Sequence, residues 1–188
     1  MEIRVLTVGQ LGTQCYILSA RESETCIVID PGAEPERILQ AAGNRRIEAI
    51  LLTHGHFDHI GAVSALMSES TSLLIHRLDA PMLSDSHLNA GLELTGTNVT
   101  TPAPTGFVAD NDLLHYAGLE IRVIHTPGHT PGGVCYLCEN EAFTGDTLFH
   151  HGWGRTDLAG GNQADLMASL RKLIMLTKDM SIHPGHED

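Results

Sequence analysis

Apolar positions along the chain follow two rhythms. The runs IRVLTV, CYILSA and TCIVID, at 3–8, 15–20 and 25–30, are short, rich in β-branched residues and set off by turn formers such as GQLG and DPG. Such runs read as strands, and their close succession predicts an antiparallel meander. PERILQAAG (35–43) then predicts a short helix closed by Gly43, and the continuous apolar run IEAILLT (47–53) predicts a buried strand. From Asp58 onward, DHIGAVSALMSES places Ile60, Val63, Leu66 and Met67 on one face of a helix that begins with an acidic residue. SLLIH (72–76) predicts another strand and LDAPMLSD (78–85) a short helix, and the polar, Thr- and Pro-containing stretch 87–106 reads as an insertion or loop.

A second β-rich half follows in DLLHYA, LEIRVIH, GVCYLC and EAFTGD, interrupted by the turn HTPGHTPGG. NQADLMASLRKLIML (162–176) brings Leu166, Leu170, Leu173 and Ile174 together at helical spacing behind an Asn162 cap, and MSIHPGHED is a last strand running into a turn. No fixed-period repeat is present, but both halves run from strands to a helix. A strand-helix layer built twice predicts an α/β protein of the four-layer αββα type, with helices outside and two sheets facing each other. With 188 residues, one domain over 1–188 is expected.

Composition narrows the partners. Eleven Lys plus Arg stand against 23 Asp plus Glu, a formal charge of −12 that repels nucleic acid. MEIRVLTVGQ has neither the basic start nor the long apolar core of a leader, and no apolar run approaches the roughly 20 residues a membrane span needs. A cytoplasmic protein with no membrane partner is therefore expected. Cys15, Cys26, Cys135 and Cys138 lie scattered in strand-like stretches, which suits a reducing compartment. Cys135 and Cys138 have redox or zinc-pair spacing, but residues three apart on a strand face opposite sides, so packed thiols are expected.

The chemistry lies just beyond the predicted strand ends. His54, His56, Asp58 and His59 follow AILLT, His129 follows IRVIHTPG, Asp146 follows AFTG, and His186 follows SIHPG. Loops at strand ends can gather distant side chains into one cleft. Imidazole and carboxylate suit zinc, iron or manganese. In an extended turn His54 and His56 point the same way and can share one ion, while Asp58 and His59 leave at the helix start toward a second. Any one of these histidines alone reads better as a helix cap or a donor to a backbone carbonyl. Four ligand-type residues within six positions of a Gly-flanked loop are hard to explain as packing.

THGHFDHIG resembles the T-H-x-H-x-D-H-x-G signature of the metallo-β-lactamase superfamily. HTPGHTPGG, FTGDTLF, GRTDLAGG and HPGH follow in the order, and roughly at the spacing, of its glyoxalase-II-like hydrolases. The resemblance implies the αββα sandwich and two divalent metal ions, zinc first, with iron or manganese as alternatives. It places His54, His56 and His129 on one ion, Asp58, His59 and His186 on the other, and Asp146 between them. His183 and His125 compete with His186 and His129 but lie in predicted strands, so packing roles are expected. His76, His87, His115, His150 and His151 match no ligand motif and read as solvated or structural. Arg155 and Asp157 are expected to form a buried ion pair or to bind backbone, with a substrate contact as the lesser alternative.

Two ions about 3.5 to 4 Å apart can share a water and lower its pKa from about 15.7 toward about 7. The implied activity is hydrolysis by a metal-bound hydroxide, with Asp58 as ligand and catalytic acceptor, on a small molecule such as an S-acylglutathione thioester. The chain contains no G-x-S-x-G nucleophile elbow. Rival enzyme readings are a mononuclear iron persulfide dioxygenase and a lactone or β-lactam hydrolase; a non-catalytic binding module is disfavoured because every ligand position is filled. Full-length glyoxalase II adds a helical C-terminal domain that contacts glutathione, whereas this chain stops two residues after His186, and Lys172 and Lys178 are its only lysines.

Overall fold

Alternation along the strands decides which layer each side chain enters. In β2 (Thr13–Ser19) every residue is buried, because the strand is covered on both faces. Cys15 and Ile17 join a cluster with Ile38, Val63 and Leu66 on the outer side, while Tyr16 and Leu18 join Ile121, Val123, Tyr136 and Phe143 on the inner side. The structure is a computed structural model and describes residues 1–187.

The first sheet comprises β1 (Glu2–Val8), β2, β3 (Thr25–Ile29), β4 (Arg46–Leu51), β5 (Ser72–His76) and β6 (Gly106–Val108), in that order. The β1–β3 meander is antiparallel, as its spacing predicts, and β3 to β6 run parallel. The second sheet contains β7 (Leu113–Tyr116), β8 (Leu119–His125), β9 (Val134–Cys138), β10 (Glu141–Gly145) and β11 (Ser181–Pro184), ordered β11-β10-β9-β8-β7. Neighbours are antiparallel except β10 and β11.

Three helices cover the outer faces. α1 (Pro35–Ala42) and α3 (Val63–Leu66) pack on the first sheet through Ile38, Val63 and Leu66. The helix Gln163–Thr177 covers the second through Leu173, which meets Ile124 and Cys135. The α/β four-layer αββα sandwich expected from the sequence is the observed fold. Asn162 caps the long helix as expected, its Oδ1 accepting from the Ala164 amide at 2.9 Å and the Asp165 amide at 3.2 Å. Cys135 faces this helix and Cys138 the inter-sheet core; all four cysteines are buried and free. Among the described residues no helix is long and apolar enough to cross a membrane.

Three local expectations need correction. The single helix expected from Asp58 is two separate turns, α2 (Phe57–Ile60) and α3, because the chain docks on the Pro31-Gly32 turn between them. The Ala62 amide donates to Pro31 O at 2.9 Å, and a Cβ on Gly61 would overlap the Gly32 carbonyl. The helix expected at 78–85 is one 3₁₀ turn over Ala80–Leu83. The stretch 87–106 holds a short helix, α4 (Gly91–Thr95), and its end enters β6, where Gly106 pairs with Leu74. The long helix Gln163–Thr177 is α5. Because β8, β10 and β11 run the same way, as do β3 and β4, their C-terminal ends deliver loops to one edge of the sandwich.

Candidate metal centre

All seven residues singled out in the sequence meet at that edge. His54, His56 and His129 form one group whose ligand atoms lie within 4.8 Å of one another, and Asp58, His59 and His186 form a second. Asp146, at the end of β10, lies between them. Its Oδ1 is 3.4 Å from His59 Nε2, and its Oδ2 is 3.5 Å from His129 Nε2 and 3.6 Å from His186 Nε2. His54, His56, His59 and His129 are buried, while Asp58, Asp146 and His186 keep a partly open face.

The hydrogen bonds behind the imidazoles decide which nitrogen each turns inward. Thr53 Oγ1 donates to Asp30 Oδ2 at 2.6 Å, so toward His54 Nδ1, 3.0 Å away, it must accept. His54 therefore carries its proton on Nδ1 and its lone pair on Nε2. His59 Nδ1 donates to Asp30 Oδ2 at 2.9 Å, His129 Nδ1 to the Arg155 carbonyl at 2.7 Å and His186 Nδ1 to the Leu11 carbonyl at 3.1 Å. In the neutral rings four lone pairs consequently converge on the centre, the arrangement that outer partners impose on metal-ligating histidines.

Most of those lone pairs face no hydrogen-bond donor. His54 Nε2, His56 Nε2 and Asp146 Oδ1 are buried without a partner, and such atoms are costly unless something satisfies them. His59 Nε2 faces Asp58 Oδ2 at 3.5 Å and His186 Nε2 at 3.3 Å, all of them acceptors in the assigned tautomers. His56 Nδ1 lies 2.8 Å from His129 Nε2, close enough for one ring to donate its N–H to the other or for both to ligate one cation. The donor set, five imidazoles and two carboxylates without a thiolate, fits two divalent ions.

Electrostatics agree. Burial holds the imidazoles of His54 and His56 well below the usual histidine range, in the neutral form that can ligate. Burial acts to raise Asp58, but His59, His186 and the Thr13 hydroxyl hold its carboxyl well below the usual carboxylate range. Burial likewise acts to lower His59, yet Asp58, Asp146 and Asp30 push it up to about 10. Three carboxylates thus demand positive charge at one buried spot.

Two essential supports carry no motif that sequence reasoning detected. Asp30, directly after β3, accepts from the Thr53 amide at 2.8 Å as well as from Thr53 Oγ1 and His59. It also falls within ligand distance of His54 and His59, but these bonds already use both its oxygens, which makes it an anchor. Asp79 is fully buried and ties two ligand loops together, accepting from Thr130 Oγ1 and the Gly132 amide, both at 2.6 Å, and from the Gly55 amide. The only available signal was an acidic residue just past a strand end.

The remaining expectations sort cleanly. Arg155 and Asp157 do pair, at 2.6 and 2.7 Å, but their side chains are 53% and 66% exposed, so the expected burial is wrong. The carbonyl of Arg155 serves the centre, and its guanidinium lies at the surface. His183 stacks on Phe143 and bonds Glu141, and His125 stacks on His76, as packing residues do. His87 and His115 pair with Glu93 and Glu120 at the surface, and His150 and His151 are exposed.

Above the seven residues opens a cavity of about 460 Å³ whose walls include His56, Asp58, His129, Asp146 and His186. A family model described as the Metallo-beta-lactamase superfamily matches residues 8–186. Among curated proteins, the chain is 34% identical to the Bacillus subtilis protein named "Probable metallo-hydrolase YqgX", over 99% of this chain and 90% of that one. It is 33% identical to hydroxyacylglutathione hydrolase GloC of Haemophilus influenzae, over 99% and 91%. Among solved structures, the BLEG-1 B3 metallo-beta-lactamase superposes with a TM-score of 0.90 at 33% identity, covering 100% of this chain and 92% of the other. A di-iron-bound form of TTHA1623 gives 0.85 at 34% identity, over 98% and 92%.

Proposed function

The chain belongs to the metallo-beta-lactamase superfamily, and from that premise we propose that it is a two-metal hydrolase whose substrate is a thioester. The observation that carries the reading is the pair of complete ligand groups with Asp146 between them. His54, His56 and His129 would hold the first ion, Asp58, His59 and His186 the second, and Asp146 would span both. Zinc fits this donor set, and iron fits it too, as the similarity to a di-iron-bound structure indicates. When bound, such a pair of ions supplies hydroxide near neutral pH and polarises a carbonyl.

The protein's own groups do the positioning. Asp58 Oδ2 accepts from Thr13 Oγ1 at 3.0 Å and faces His186 at 3.3 Å, which fixes the carboxylate and leaves Oδ1 to accept from an attacking water. Held ionised, Asp58 remains an acceptor across the working pH range. Among the described residues the cavity wall offers no free general acid apart from the centre itself, since its remaining ionisable residue is the paired Arg155. A thiolate leaves without one, whereas an amine or alkoxide needs one. Similarity to a hydroxyacylglutathione hydrolase supports the same choice and makes S-acylglutathiones the first thioesters to compare.

A mononuclear persulfide dioxygenase needs only one iron, and the complete second group argues against it. The test is metal analysis of protein purified without added metal, paired with thioester, lactone and β-lactam substrates. Two ions per chain and thioester turnover are expected. In His56→Ala the first group loses one of three ligands. Activity should then fall by more than the roughly 100-fold that loss of an outer partner costs, with far-UV circular dichroism preserved because His56 is on a loop. One iron per chain with oxygen uptake on glutathione persulfide, or inert thioesters, would overturn the proposal.

A further inference from the structure

The rim of the 460 Å³ cavity is apolar and exposed. Trp153, the one tryptophan of the chain, is 56% exposed there, with Leu11 at 53% and Leu94 at 49% beside the half-buried Phe149 and Leu158. Large apolar side chains left in water around a concave opening mark a surface meant to be covered by ligand. Leu11 and Phe57 continue it into a second recess of about 240 Å³, closed on one side by Thr95, Thr97 and Val99. The insertion 87–106 thus contributes walls to both cavities and is far from a passive loop.

Charge adds a second constraint. Arg155 is the single Lys or Arg among the described residues lining the cavity, and Asp157 already takes its guanidinium through two hydrogen bonds. The chain as a whole carries a formal net charge of −12. Glutathione carries two carboxylates, for which this mouth holds no spare cation.

We propose that the mouth selects thioesters with an apolar acyl chain on an uncharged thiol, with Trp153 and Leu94 as the specificity-determining contacts. This rests on the thioesterase reading and narrows it. In the reaction water adds its oxygen to the acyl carbon, the carbon–sulfur bond breaks, and the departing thiolate takes up a proton from that water.

Because Trp153 is the sole tryptophan, its emission reports occupancy of the mouth without any turnover. Metal-loaded protein would be titrated with two non-hydrolysable thioethers, S-hexyl-2-mercaptoethanol and S-hexylglutathione. The uncharged one should shift the emission and bind at least tenfold more tightly. Hydrolysis would be followed with acetyl, butyryl and hexanoyl thioesters of 2-mercaptoethanol. Each buried methylene contributes up to about fourfold, so kcat/KM should rise at least tenfold from acetyl to hexanoyl. Trp153→Ala and Leu94→Ala should cut that ratio to threefold or less, and Trp153→Phe should retain most of it. Equal or tighter binding of S-hexylglutathione, or a flat chain-length series with thioesters still hydrolysed, would overturn the proposal while sparing thioester hydrolysis. The expected emission shift with no thioester hydrolysed would sink the reaction and leave the apolar mouth standing.

Discussion

Asp30→Asn replaces one oxygen of a buried carboxylate with an NH₂ and tests the whole ligand arrangement. The oxygen of the new amide can still accept from the Thr53 amide at the Oδ1 position. At the Oδ2 position the introduced NH₂ would confront two donors, Thr53 Oγ1–H and His59 Nδ1–H. The hydroxyl can rotate, but His59 must move its proton from Nδ1 to Nε2. That proton then points at Asp58 and Asp146, where the second ion would sit. Hydrogen bonds to a charged group contribute about 1.5 to 3 kcal/mol and neutral ones about 0.5 to 1.5. Exchanging two of the first kind for the second costs about 2 kcal/mol, before the wrong tautomer is counted. Affinity for the second ion should therefore fall roughly 30- to 100-fold. The first ion feels the change only through Thr53 and His54, one step further on, and should lose about tenfold or less. Competition with a chromophoric chelator resolves the two steps, and ¹⁵N spectra of the imidazoles report the His59 tautomer. Both affinities staying within threefold of the parent, with His59 still protonated at Nδ1, would refute the reasoning.

Two further changes probe the frame around the centre. Burial lifts the Asp79 carboxyl from 3.8 to about 6, against the donors that favour its ion, so the folded chain holds this proton more tightly than the unfolded one. Its favourable contribution is full below pH 3.8 and fades as pH rises to 6, by about 3 kcal/mol. Asp79→Asn cannot titrate, so in urea unfolding its stability relative to the parent should climb between pH 4 and 6; parallel curves would count against this. Gly128 has φ of +140°, and a Cβ there would overlap the Leu166 backbone in α5. Gly128→Ala should lower Tm by roughly 6 to 12 °C, equivalent to about 3 kcal/mol of strain and lost docking, and should weaken the first ion through neighbouring His129. A change below about 2 °C would contradict it.

Much of the architecture can be read from local patterns because burial and periodicity coincide there. β2 and β9 show it, since each is apolar at successive positions and covered on both faces. The proposed ligands are legible for another reason: four crowd into six positions, and the other three each follow a strand end. Asp30 and Asp79 stand alone in sequence and gain meaning only when the chain brings Thr53, His59, Thr130 and Gly132 to them. The break at Gly61 is equally tertiary, since only contact with the Pro31-Gly32 turn interrupts a good amphipathic pattern. Arg155 misled because a paired arginine beside a ligand loop suggests burial, while the useful atom was its carbonyl.

Each of the two proposed ligand groups draws two side chains from the first half of the chain and one from the second: His54 and His56 with His129, Asp58 and His59 with His186. As the polypeptide emerges during synthesis, the first half therefore presents each proposed ion with only a pair. The one trio it holds by itself, Asp30 with His54 and His59, is already taken up by the hydrogen bonds of Asp30 to Thr53 and His59. Two ligands grip an ion far less firmly than the three a catalytic zinc site provides. A full set of three for either proposed ion is thus assembled only when both sheets have closed, which couples tight metal uptake to the finished fold.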